Sequence, residues 1–148
     1  MTLRKSLCRK FGWATLAILA LVLAPRPAPD ATEAERAAAV REAAALGLPV
    51  PPEPFVTDGC TLFPDSLPWH DYRDACVAHD VRYWLGGSAA ARANADEAFG
   101  LAVAKSGPAG RPLGGLMKLG VRLFGDTWVS RIHGAAWGYG YVKNSWHW

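Results

Sequence analysis

The chain has 148 residues, 51% of them hydrophobic and 20% charged, with a formal net charge of +3. That length holds one small domain, and that hydrophobic content excludes a disordered chain, although alanine and the 15 glycines point to a thin core. A thin core invites a disulfide, and the chain carries three cysteines, Cys8, Cys60 and Cys76.

Arg4, Lys5, Arg9 and Lys10 precede an apolar and small-residue run, FGWATLAILALVLA, over residues 11–24. Basic residues before a short apolar run have the layout of a secretory signal, so residues 1–24 are expected to direct export, to the periplasm or beyond the cell. At about 1.5 Å per residue the run is short for a bilayer span. Pro25 disfavours cleavage after Ala24, so an uncleaved membrane anchor over residues 11–24 is the alternative to a removed signal. Beyond this segment the charge is polarised. Residues 27–100 hold 5 basic and 12 acidic groups, and residues 101–148 hold 6 basic and 1 acidic. That basic field is too sparse for nucleic acid, but it suits an anionic lipid surface.

Residues 25–56 read as an alanine-rich helix and a proline-rich linker. Thr32 and Glu35 have capping-box spacing, and Gly47 with Pro49 supplies the stop. This helix either packs on the remainder or serves as a spacer. The prolines of LPVPPEPFVTDGCTLFPDSLPWHD forbid a regular element through most of that loop. Two helices are expected over about residues 71–85 and 89–105. Gly86 and Gly87 end the first, Ser88 caps the second, and so short a turn makes them an antiparallel hairpin. A third helix is expected near residues 113–124, followed by an irregular, glycine-rich and aromatic tail. No strand alternation is evident, so the fold class is mainly α.

The hairpin carries the chemistry. At roughly 100° per residue, His79, Tyr83, Cys76 and Asp80 share one face of the first helix. Asp96 sits mid-stripe on the second, where a hairpin brings it to His79. A carboxylate bonded to one imidazole nitrogen sets the tautomer and leaves the other nitrogen to accept a proton from water. Asp80 is placed to bind a hard cation, with loop carbonyls completing the shell. The competing reading of Asp96 is an ordinary helix ion pair with Arg92 four residues earlier. In an exported chain, pairing of Cys60 with Cys76 is the simplest outcome.

The segment DGC, followed sixteen residues after its cysteine by CVAHDVRY, resembles the calcium-dependent secreted phospholipase A2 superfamily. The short hairpin turn looks more like its small bacterial and fungal branch. The resemblance spans roughly residues 57–105, within a domain expected over residues 57–148. It implies a disulfide-linked core of two antiparallel helices with a calcium-type loop, joined by Cys60–Cys76. His79 would activate water against the sn-2 ester of a glycerophospholipid, Asp96 would orient it, and Tyr83 would bond that aspartate. Asp80 and the carbonyls of Gly59, Thr61 and Phe63 would hold Ca2+. This loop keeps Gly59 but places Thr61, Leu62, Phe63 and Pro64 where the family is richer in glycine, so Asp58 or Asp65 could supply a carboxylate instead, or the loop could bind no metal.

A phospholipid membrane surface is the expected partner. Trp146 and Trp148, at the end of the aromatic tail, are candidates for membrane or protein contact, whereas Trp137, Tyr139 and Tyr141 read equally well as core supplied to the alanine-rich hairpin. Two other functional classes share these features. One is a catalytically inactive lipid- or protein-binding module, and the other is a subunit of an envelope complex docked through its tail.

Overall fold

The computed structural model describes residues 31–61, 63–68, 70–108, 110–127, 130–131 and 135–141. Residues 1–24, expected to be a signal or an anchor, and Trp146 and Trp148 lie outside the described residues. Among those described, four α-helices carry the fold: α1 (Glu33–Ala45), α2 (Arg73–Leu85), α3 (Ala89–Lys105) and α4 (Gly110–Phe124). No helix among them is long and apolar enough to cross a membrane.

The local signals act as the sequence suggests. Thr32 and Glu35 form a reciprocal capping box at the start of α1, with the Glu35 carboxylate accepting from the Thr32 backbone N–H at 2.7 Å. Ser88 caps α3 by accepting from the Ala91 N–H at 3.1 Å. The start of α2 differs from expectation. His70–Asp71 instead forms strand β2 of a two-residue antiparallel ladder with β1 (Ser66–Leu67), in the register Ser66↔Asp71 and Leu67↔His70. Pro68 turns the chain between them, and α2 begins at Arg73, whose N–H donates to Asp71 Oδ1 at 3.1 Å. Helix α4 begins three residues before residue 113. Pro112 falls in its first turn, where a missing N–H costs no helical bond.

Two apolar clusters flank α2. One joins Ala39 and Ala43 of α1, Phe55, Val81, Trp84 and Leu85 with Tyr139. The other joins Cys60, Tyr72, Cys76, Phe99, Val103 and Met117. Helix α1 is therefore a packing helix, held to α2 by Arg73–Glu35 at 2.5 Å and Arg82–Glu42 at 2.9 Å. The aromatic segment after α4 closes the first cluster. Trp137 meets the Tyr83 ring edge-on at 5.0 Å and donates to the Gly87 carbonyl at 3.0 Å, while Tyr139 donates to the Val56 carbonyl at 2.5 Å. Gly86 adopts φ +65°, and a Cβ there would strike the Gly138 backbone, so the hairpin turn and the tail meet at two glycines. Tyr139 is thus core and the partly buried Trp137 packs against it, supplying bulk that the alanine-rich helices lack, whereas Tyr141 is exposed.

Candidate functional site

His79 and Tyr83 stand one turn apart on α2, and the turn at residues 86–88 returns α3 against them. Asp96 of α3 is wholly buried, at 0% exposure, between these side chains. Its Oδ1 accepts from the Tyr83 hydroxyl at 2.8 Å and lies 3.2 Å from His79 Nε2. With the Nε2 proton directed at the carboxylate, Nδ1 keeps its lone pair. The imidazole is packed against Tyr83, with ring centres 4.2 Å apart, and Phe99, at 4.7 Å. The competing reading, an ion pair between Arg92 and Asp96, does not hold among the contacts of the described residues. Arg92 reaches Asp126 at 3.5 Å and donates to the Arg122 carbonyl at 3.0 Å. Arg122, on α4, brings its Nε to 3.5 Å from Asp96 Oδ2.

The charges follow from burial and partners. Burial holds His79 below its ordinary pKa, although its hydrogen bond to Asp96 and the charge of Asp96 pull it upward. Burial raises the Asp96 carboxyl, but the hydrogen bonds from His79 and Tyr83 and the nearby positive charge of Arg122 outweigh it, leaving Asp96 below the usual range. Burial first, and then the bond to Asp96, pushes the Tyr83 phenol up. At neutral pH the cluster therefore holds a neutral imidazole, an ionised carboxylate and a neutral phenol. That is the charge state a general base and its orienting partner require.

Asp80 projects toward the loop before β1. The Thr57 hydroxyl donates to its Oδ2 at 2.5 Å and accepts from the Gly59 N–H at 3.1 Å. Burial pushes the Asp80 carboxyl well above its ordinary pKa. Thr57 opposes this, while the charges of Asp58 and Asp65 add to it. Cys60 and Cys76 form a disulfide across a sequence separation of 16 and hold the loop against α2. Within the loop, Asp65 accepts from the Cys60 N–H at 2.7 Å and Asp58 accepts from the Thr61 hydroxyl at 2.8 Å. Gly59 lies at φ +75°, and a Cβ there would run into the Asp65 carboxylate.

These groups border one cavity of about 390 Å³. His79, Asp80 and Tyr83 stand with Gly59, Thr61 and Phe63 on its walls, and Phe99, Met117 and Val121 make much of the remainder apolar. Among the described residues, no three His, Cys, Asp or Glu side chains cluster as a metal-holding group. A cation at this loop would be held by the Asp80 carboxylate with backbone oxygens, an all-oxygen set of the kind hard divalent ions take. The crowding of Asp80 by burial and by two like charges is what such an ion would relieve.

The structure thus brings together His79, Tyr83, Asp96, Asp80 and the loop residues Gly59, Thr61 and Phe63, with Cys60–Cys76 as their tie. It adds two residues that sequence reading passed over. Thr57 carries no periodic signal, only its place two residues before Gly59. Arg122 belongs to an amphipathic pattern whose basic edge gives no sign that it meets a buried carboxylate. Compared with protein-family models, curated proteins and solved structures, the chain finds no match in any of the three.

Proposed function

We propose that this chain is an exported phospholipase A2-like esterase that hydrolyses the sn-2 ester of glycerophospholipids. The observation that carries the reading is His79 on the wall of a largely apolar cavity, with the buried Asp96 carboxylate 3.2 Å from its Nε2. Nδ1 of His79 takes a proton from water as that water attacks the ester carbonyl. Asp96 holds the ring in the tautomer that makes this possible and stabilises the imidazolium that forms. Tyr83 keeps the Asp96 carboxylate from rotating by donating to the same oxygen. His79 then returns the proton to the departing alkoxide. Phe99, Met117 and Val121 offer an acyl chain an apolar wall and exclude bulk water from the reacting atoms. Ca2+, held by Asp80 with the carbonyls of Gly59, Thr61 and Phe63, would supply positive charge for the developing oxyanion and the phosphate.

The test is fatty-acid release from phospholipid vesicles, with calcium and then with chelator. Release is expected with calcium, and His79→Gln should lower it by about 10² to 10⁴-fold without loss of helical content. Release that is absent, or unchanged in the variant, sinks the proposal.

A second reading, a catalytically silent lipid-binding module, is favoured by one contact. The Thr57 hydroxyl already engages Asp80 Oδ2 at 2.5 Å. Calcium separates the two readings. An ion bound at Asp80 raises the unfolding temperature with concentration, and Asp80→Asn abolishes that rise. A melting curve indifferent to calcium favours the silent module.

A further inference from the structure

Asp96 has two oxygens, and the helix α2 serves only one of them. Oδ1 accepts from the Tyr83 hydroxyl at 2.8 Å and lies 3.2 Å from His79 Nε2. Oδ2 is buried, has no hydrogen bond among the described residues, and lies 3.5 Å from Arg122 Nε on α4. The last torsion of an aspartate is broad, so a carboxylate held through one oxygen can still tilt. A charge fixed beside the other oxygen removes that freedom. Arg122 is itself fixed: its Nη2 donates to the Ala93 carbonyl at 3.3 Å, and its own carbonyl accepts from Arg92 Nη2 at 3.0 Å. Arg92 in turn brings Nη1 to 3.5 Å from Asp126. Two arginines therefore clasp α3 and α4 in opposite directions, and the Arg122 arm ends at the carboxylate that orients His79.

We propose that Arg122 is a positioning residue of the site, which holds Asp96 Oδ2 from α4 so that Oδ1 stays presented to His79 Nε2. The last turn of α4 meets the site at further points. Val121 and Phe124, on either side of Arg122 in sequence, line the cavity, and Gly125 packs so closely on Tyr83 that a Cβ there would strike the phenol hydroxyl. The wall offered to an acyl chain is thus the same element that steadies Asp96. The competing reading is an ordinary surface ion pair, since the Arg122 side chain is 42% exposed and exposed pairs contribute little. Its partner, however, is 0% exposed, and the bond to Ala93 already holds the guanidinium in place. At 3.5 Å the contact acts through charge and not through a hydrogen bond. A lysine ammonium stands one bond further along its stem than Arg Nε and can supply the same charge. The inference rests on the esterase reading for its catalytic consequence, whereas the orientation of His79 does not depend on hydrolysis.

The test reads the His79 tautomer by NMR in the full chain, with isotope-labelled histidine ring nitrogens assigned by their loss in His79→Gln, at one pH near neutrality. The proton is expected on Nε2 in the wild type and in Arg122→Lys, and shared between both nitrogens in Arg122→Gln. On a soluble short-chain ester, Arg122→Gln should lower kcat by at least about tenfold with KM within about twofold, and Arg122→Lys should recover most of that loss. Arg122→Met, which keeps an unbranched stem, gives the same reading if Arg122→Gln does not fold. Asp126→Asn controls for a general loosening of α4. It breaks the contacts of Asp126 with Arg92 and Arg131 and leaves Arg122 beside Asp96, so it should lower the melting temperature without changing tautomer or kcat. A wild type with the proton on Nδ1 overturns the proposal without any variant. So does a tautomer unmoved in Arg122→Gln, a lysine variant no better than the glutamine one, or an equal effect of Asp126→Asn. The expected tautomers in a protein that hydrolyses no ester leave the proposal standing and remove the esterase reading alone.

Discussion

At the residue scale, the site depends on how one carboxylate is shared. Asp96 Oδ1 serves both Tyr83 and His79, while Oδ2 is buried, has no hydrogen bond among the described residues, and lies 3.5 Å from the Arg122 guanidinium. A buried ionised group stays stable only with such partners, and removing one donor leaves charge uncompensated. Tyr83→Phe should therefore cost about 1.5–3 kcal/mol in urea unfolding, the range for a hydrogen bond to a charged group. In an Asp96→Asn background the same substitution should cost clearly less, because the acceptor is then neutral. Equal costs in the two backgrounds would show that the Tyr83 hydroxyl does not act through the Asp96 charge. The identity of these residues was legible from periodicity, since His79, Tyr83 and Asp96 fall on facing stripes of a short-turned hairpin. Arg122 was not, because no local spacing relates residue 122 to residue 96.

At the element scale, the close approach of α3 and α4 sets the cavity. Gly100 and Gly114 let the two backbones come together, and a Cβ on Gly114 would collide with the Gly100 carbonyl and press on Ala104. Gly114→Val should therefore destabilise the fold by about 1–3 kcal/mol, the usual range for overpacking. It should also push α4 outward and open the cavity wall at Met117. Thermal unfolding checks the first outcome, and loss of activity beyond the loss of folded protein checks the second. The helices themselves were readable from caps and breakers: Thr32 with Glu35, Gly86–Gly87, and Ser88. Two boundaries were not. The β1–β2 ladder removes residues 71 and 72 from α2, and α4 gains residues 110–112, because pairing and packing decide helix ends that propensity leaves open.

At the scale of the whole molecule, pH links the site to stability with two opposite signs. His79 and Asp96 both have folded pKa values below their ordinary ones, so their contribution is present above those ordinary values. It is lost as pH falls through the folded ones. Asp80 runs the other way. Its folded pKa lies well above the ordinary value, so its contribution is present in acid and lost as pH rises through that folded value. Asp80→Asn should raise the urea midpoint at a pH above the folded Asp80 pKa, where the wild-type carboxylate is forced to ionise against burial and the charges of Asp58 and Asp65, and leave the acid limb in place. A midpoint that is unchanged, or lowered, at that pH contradicts the assignment of strain to Asp80.

What the sequence determined by itself is what local rules decide. These are the helical class, the hairpin and its turn, the facing of His79 toward Asp96, and the proximity of Cys60 to Cys76. Each follows from spacing within a few turns or from a scarcity of alternatives. The tertiary structure decided what depends on segments far apart in the chain. It set Thr57 on Asp80 and Arg122 on Asp96, packed Trp137 and Tyr139 against Tyr83 and Val56, and left one stripe of α4 facing outward. An amphipathic pattern says only that a helix has an apolar side. Which part of that side is covered depends on the area of the neighbours it meets, and α3 is narrow because it is built largely of alanine.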